Sequence, residues 1–312
     1  MTRAAAPGKI ILLGEHAVVY GRPAIAVPVR QVQAVVDVEE LPDGRRDDVL
    51  IDSPTMGLRA WLSEMGADDP LSQITRRTLE AVEGLAGRSI SVRIDSTIPI
   101  ASGLGSGAAV SVAVARGLSR HLGRPLDAQA VSELAFEVEK LHHGTPSGID
   151  NTVIAFDRPV YFVRGSKPET LSVGAAVHLV IADTGRAAST AVAVAHVRRR
   201  WEADRTGVER VFDDIAHLVR RARSRLEAGE PEGLGLLMNE NQTHLEWLGV
   251  SSPELDRLVL ASRDSGAYGA KLSGGGMGGH MIAIVPEAAA PAVAQALQAA
   301  GATHVITTRV DP

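Results

Sequence analysis

Four stretches of the chain carry residue types that could do chemistry. The first, Ser102-Gly103-Leu104-Gly105-Ser106-Gly107-Ala108-Ala109, follows the strand-like run SISVRIDSTIPI and leads straight into VSVAVARGLSRHLG, which reads as a helix. Glycines between a strand and a helix present backbone N–H groups, so the expected ligand is an anion. The second, PGKIILLGEHAVVYG, puts Lys9 at one end of a short apolar strand and Glu15 with His16 at the other. In the third, a helix carrying Glu139 ends in HHGTPSGIDN, a loop of turn formers that presents Asp150. Glu139 lies at the edge of that helix's apolar stripe, where a carboxylate can face a cleft while its neighbours pack. The fourth, AKLSGGGMGGH, places five glycines between two strands, more than a hairpin needs. Taken singly, each has a plainer reading. Lys9 and Glu15 could form a surface ion pair, Asp150 could be a turn residue, and the second glycine loop could be a flexible tip.

The first loop satisfies G-x-G-x-x-A through Gly103, Gly105 and Ala108, the spacing of a dinucleotide-binding turn. That reading requires a second parallel strand ending in an acidic residue about 20 residues further on. Here the helix ends at HLGRPLDAQ and another begins at once, so Asp127 reads as a helix N-cap. No Gly-Lys-Ser or Gly-Lys-Thr closes the loop, which excludes a Walker A site.

The elements that must position these residues are of mixed type. Strand patterns occur at KIILL, AIAVPV, QAVVDVEE, DVLIDS and SISVRIDS, and helix patterns at PLSQITRRTLEAVEGLAG, GAAVSVAVARGL and DAQAVSELAFEVEKLHHG. In the last, Val131, Leu134, Ala135, Val138 and Leu141 keep the spacing of one helix face. After VYFVRG and AVHLVIADTG come long helices, then a strand-helix-strand unit from AKLS to THVITTR. A change of character in the polar stretch GSKPETLSVGA suggests two domains, 1–172 and 173–312, as expected for 312 residues.

A net charge of -5 gives no support for nucleic-acid binding, and the arginine runs read as solvated helix faces. Without cysteine there is no disulfide, thiolate metal site or cysteine nucleophile. MTRAAAPGK breaks at Pro7-Gly8 before a long apolar segment forms, and no apolar run reaches the length of a membrane span, so a soluble cytoplasmic protein is expected.

In order, P-G-K-I-x-L-x-G-E-H-x-V-V-Y-G, G-L-G-S-x-A-A, H-G-x-P-S-G-x-D-N and G-A-K-L-S-G-G-G-x-G-G resemble the GHMP kinases, from Pro7 to at least His280. MNENQTHLEWLGVSSPELDRL is similar to the segment before the family's third motif. The glycine loops are common to the whole family, whereas GEHAVVYG combined with HGTPSGIDN resembles its mevalonate branch.

The resemblance implies a two-domain α/β fold of α+β type, with the active site in the cleft between domains. The implied activity is ATP-dependent phosphorylation of (R)-mevalonate at its C5 hydroxyl, giving 5-phosphomevalonate and ADP on the route to isoprenoids. The implied partners are ATP and a small-molecule acceptor, and a homodimer is allowed. Ser102, Gly103, Leu104, Gly105, Ser106, Gly107 and Ala108 would wrap the ATP phosphates. Asp150 would be the base at the acceptor hydroxyl, with Lys9 beside it. Glu139 would hold Mg²⁺, and Glu15, His16, Thr190, Gly275 and Gly276 would line the substrate side. In one place the chain departs from the pattern: the family's second loop serine, a hydroxyl ligand to magnesium, is here Gly107, which leaves Ser106 or a water for that place. The alternative is another small-molecule kinase of the family, acting on phosphomevalonate, a sugar or homoserine. A phosphorylated acceptor calls for additional Lys or Arg, and the recognised substrate segments show only Lys9 and Arg186.

Overall fold

A computed structural model describes residues 1–99, 103–143, 146–187 and 189–312. In chain order its strands are β1 (Thr2–Leu13), β2 (Ala24–Glu40), β3 (Asp48–Ser53), β4 (Leu58–Trp61), β5 (Ser89–Ser96), β6 (Val160–Phe162), β7 (Glu169–Thr170), β8 (Val177–Asp183), β9 (Gly269–Ser273), β10 (His280–Val285) and β11 (His304–Val310). The helices are α1 (Pro70–Ala81), α2 (Ser106–His121), α3 (Ala128–His143), α4 (Ile149–Phe156), α5 (Thr190–Ala203), α6 (Arg205–Ala228), α7 (Pro231–Trp247), α8 (Pro253–Asp264) and α9 (Ala290–Ala299). No helix among the described residues is long and apolar enough to cross a membrane.

The described residues gather into two units that are discontinuous in sequence. One comprises the described residues of Met1–Gly8, 32–99 and Gly105–Asp157; the other includes those of Lys9–Gln31 and Arg158–Pro312, with Leu104. The single cut near residue 172 suggested by composition therefore corresponds to a more divided arrangement, in which β1 and β2 each pass from one unit to the other. AIAVPV and QAVVDVEE, which read as two strands, are one strand of 17 residues. The polar Arg30 and Gln31 that look like a break mark the passage between units.

In the first unit the strands run in the order β4-β3-β5-β2, with β3 parallel to β5 and the other pairs antiparallel. The alternation in SISVRIDS is realised as buried Ile90, Val92 and Ile94. Helix α2 packs on β5, and α1, α3 and α4 pack against α2. Its buried residues include Ala108, Ala109, Ala113 and Ala115, small residues that let neighbouring helices approach, with Val112, Val114 and Leu118 among them. Asp127 does accept from the Ala130 N–H at 2.8 Å, the N-cap expected at the start of the next helix. On α3 the apolar stripe is shorter than its spacing suggests. Val131, Ala135 and Val138 are buried, but Leu141 is 52% exposed.

The second unit holds the antiparallel sheet β11-β8-β10-β9. Every residue of β10 is buried, as its nearly continuous apolar run HMIAIV requires. Helices α7 and α8 pack against β9 and β10, while α9 packs against β8 and β11. Tyr20, at the end of GEHAVVYG, stacks on Phe212 of α6 with ring centroids 4.6 Å apart. Nearby Arg22 donates to Asp213 of the same helix at 2.9 Å, so α6 anchors the first motif by a ring and a charge.

Candidate active site

The phosphate-loop candidate divides at a helix start. Gly105 takes the left-handed N-cap position of α2, with φ 77°, and no side chain caps the helix. The first intrahelical bond runs from the Ala109 N–H to the Gly105 carbonyl at 2.9 Å, which leaves the amides of Ser106, Gly107 and Ala108 without an intrahelical acceptor. No acidic residue stands in the first turn. Such an end binds anions through its N–H groups and its dipole. Gly107 is exposed, and a Cβ built there meets nothing within 4 Å. Upstream, the Leu104 carbonyl accepts from the Lys9 N–H at 2.9 Å, tying the loop to β1. Lys9 itself is 3% exposed, so it is no surface residue. Ser102 lies outside the described residues.

Asp150 differs from its expected place in a loop. It stands in the first turn of α4, half-buried, after Gly148 in a left-handed conformation. An acidic residue there is the placement a helix dipole favours. The helix has only eight residues and is held by neighbours more than by its own propensity. Asn151 donates to both the carbonyl and the hydroxyl of Ser132 on α3, at 3.0 and 2.8 Å. At the other end Arg116 of α2 donates to the Ala155 carbonyl at 2.5 Å and, from the same guanidinium, to the Ala5 carbonyl at 3.0 Å. The helix that starts at the glycine loop therefore clamps the helix carrying Asp150. Glu139 stands half-buried on α3, which packs against α4.

The second unit holds all five expected substrate-side residues and brings His16, Thr190 and Gly275 together. His16 has an unusual backbone for a residue with a side chain, φ 61° and ψ -49°. Its Nε2 donates to the Gly275 carbonyl at 2.9 Å. Because a carbonyl only accepts, Nε2 carries the proton and Nδ1 is left as an acceptor nitrogen. Burial pushes the imidazole down from the ordinary 6.5 to about 4, so it is neutral at physiological pH. Thr190 is exposed at the start of α5, and a Cβ on Gly275 would come 3.2 Å from its Cα. The glycine loop after β9 is pinned along its length. The Met277 N–H donates to the Val250 carbonyl at 2.6 Å and the Gly279 N–H to the Arg186 carbonyl at 3.0 Å. At Gly276, φ is 75° and a Cβ would sit 2.1 Å from the Val250 carbonyl oxygen, so only glycine fits.

Glu15 has an engagement that sequence reasoning missed. It forms an ion pair with Lys271 of β9, and both side chains have no solvent exposure. Its other oxygen accepts from Asn241 of α7 at 3.2 Å. Next to Lys271, the Leu272 N–H donates to Gln242 at 2.9 Å, and the Ser273 hydroxyl both donates to the Ile11 carbonyl and accepts from the Ile11 N–H. The sequence signal was a lysine inside an otherwise buried strand pattern, AKLS, with Asn241 and Gln242 in the family-like segment before it. Among the described residues, no three His, Asp or Glu side chains gather into a cation cage.

The chain matches the model of the GHMP kinases N terminal domain over residues 73–157 and that of the GHMP kinases C terminal domain over 222–303. It belongs to the GHMP kinases. It is 38% identical to the mevalonate kinase of Thermococcus sibiricus, an alignment covering 97% of this chain and 95% of that one. With the mevalonate kinase of Pyrococcus horikoshii the identity is 39%, over 97% and 94%. The crystal structure of L. major mevalonate kinase in complex with R-mevalonate is similar with a TM-score of 0.84 and 28% identity, covering 100% of this chain and 96% of that one. Within the GHMP kinases the chain is therefore a member of the mevalonate kinases.

Proposed function

We propose that this chain transfers the γ-phosphoryl group of ATP to the C5 hydroxyl of (R)-mevalonate, giving 5-phosphomevalonate and ADP, as a cytoplasmic step toward isoprenoids. The observation that carries this reading is identity of 38% to a mevalonate kinase over 97% of the chain. The geometry inside each unit supports it.

Phosphoryl transfer asks little covalent chemistry of a protein; it asks for alignment, charge neutralisation and a destination for the acceptor's proton. The amides of Ser106, Gly107 and Ala108 at the open end of α2 would cradle the phosphates. Asp150 would take the proton of the C5 hydroxyl, on a helix clamped by Arg116 and Ser132. Lys9 would offset the charge on the transferring group. His16, neutral and with Nδ1 as an acceptor, suits a hydroxyl of an uncharged part of the acceptor better than a phosphate, with Thr190, Gly275 and Gly276 forming the same wall.

Glu139 and Ser106 would hold magnesium. Both are half-buried oxygen donors of the same unit, and a magnesium that arrives with nucleotide phosphates needs only one or two carboxylates, so the donor set fits. When bound, magnesium neutralises charge on the phosphate oxygens. The test is product regiochemistry: incubated with ATP and (R)-mevalonate, the protein should yield a single phosphomonoester whose phosphorus couples to the C5 methylene protons. A phosphoryl group on the C3 oxygen, or ADP release without acceptor phosphorylation, would contradict the proposal.

A further inference from the structure

Burying a carboxylate and an ammonium together brings little stability, because desolvation offsets their attraction; an apolar pair of similar volume does as well or better. The Glu15–Lys271 pair, without solvent exposure, is therefore weakly explained as a stabilising contact. Its placement is more informative. Lys271 also donates to the carbonyl of Leu272 at 2.7 Å, and Asn241 engages the second Glu15 oxygen, so the carboxylate is held from both sides. Gly14, one residue before, has φ 105° and no room for a Cβ, which would lie 2.5 Å from Ala24. His16, one residue after, carries a side chain at φ 61°, a conformation that persists only where the surroundings over-determine it.

We infer that Glu15 and Lys271 are positioning residues for the acceptor site: their buried pair locks the turn after β1 onto β9, holding His16 so that its Nε2–H meets the Gly275 carbonyl and its Nδ1 remains for the acceptor. This rests on the reading of His16 as an acceptor-side residue. Glu15 then acts through His16 and does not itself touch the substrate. Burial pulls the Lys271 ammonium below lysine's usual range while Glu15 opposes that pull, so removing either partner strands the other in a dry environment.

Steady-state kinetics on the full chain with mevalonate and ATP test this. Glu15→Gln and Lys271→Met should each raise the mevalonate KM by about tenfold or more, with the ATP KM within about threefold of wild type. His16→Ala should raise the mevalonate KM similarly, and Glu15→Gln added to His16→Ala should cost less than about twofold more, because both act through one contact. If His16→Ala leaves the mevalonate KM unchanged, the His16 assignment falls and this proposal with it. If His16→Ala raises it while Glu15→Gln does not, the positioning role alone is overturned. Independent, multiplicative losses in the double variant, or equal rises in both KM values, would equally overturn it. Should the charge variants fail to fold, Asn241→Ala leaves the ion pair intact and reads the same question. A selective rise in mevalonate KM of about two- to fivefold supports the positioning role, and an equal change in both substrates contradicts it.

Discussion

At His16 burial decides charge, and charge decides what the ring can bind. Its pKa is about 4 in the folded protein against 6.5 as the ordinary value. Well above pH 6.5 the ring is neutral folded or unfolded and contributes no pH dependence. As pH falls from 6.5 to about 4 the unfolded chain takes up a proton that the folded ring refuses, so stability drops. The loss from this one group amounts to about 3 kcal/mol. Unfolding free energies of wild type and His16→Gln from urea titrations between pH 7 and 4 should diverge by that order, with the variant losing less on acidification; parallel curves would contradict the neutral ring. Asp150 carries a different expectation. Asp150→Asn keeps the shape and removes the base, and should cost about 10²-fold or more in kcat with little change in the ATP KM. Retention of more than about a tenth of wild-type kcat would reduce Asp150 to an orienting group. Both residues stand out in the sequence through their motifs. Lys271 also lies in a motif, but its buried pairing was not readable, because a lone lysine in a strand is ordinarily solvated and its partner is 256 residues away.

The two glycine loops look alike in sequence and differ as elements. The loop that opens α2 leaves Gly107 in open space, while Gly276 is wedged under the Val250 carbonyl with φ 75°. Gly107→Ser should therefore change stability by less than about 0.5 kcal/mol, whereas Gly276→Ala should cost about 2 kcal/mol or more, measured by chemical denaturation. Equal effects would mean that the second loop is not pinned as described. Helix α4 shows why part of the site was illegible. The turn formers of HGTPSG run into an eight-residue segment too short to display periodicity, and contacts from α2 and α3 complete it. Arg116→Met should remove that clamp, at about 1–3 kcal/mol, and speed amide exchange within Ile149–Phe156 relative to the rest of its unit. Unchanged exchange there would leave Arg116 without a role in holding Asp150. Longer elements such as α2 and β5 were legible, because an apolar face repeats over several turns or alternates along the strand.

Over the whole molecule, the order of motifs along the chain was enough to indicate the class of kinase, but the assignment of segments to units was not readable. Residues 9–31 belong with residues 158–312, and no shift in composition marks that return. What the molecule does as a whole is choose an acceptor. A phosphorylated acceptor needs cations to receive it; the buried Lys271 is committed to Glu15, while Arg186 lies 3.4 Å from Glu254 in an exposed pair. The most direct test is a coupled ADP-release assay with (R)-mevalonate, 5-phosphomevalonate, homoserine and galactose at fixed ATP and magnesium. The expected result is a kcat/KM for mevalonate at least about tenfold above that for every other acceptor. Turnover of any of the other three with equal or greater efficiency would contradict the assignment of this chain to mevalonate phosphorylation.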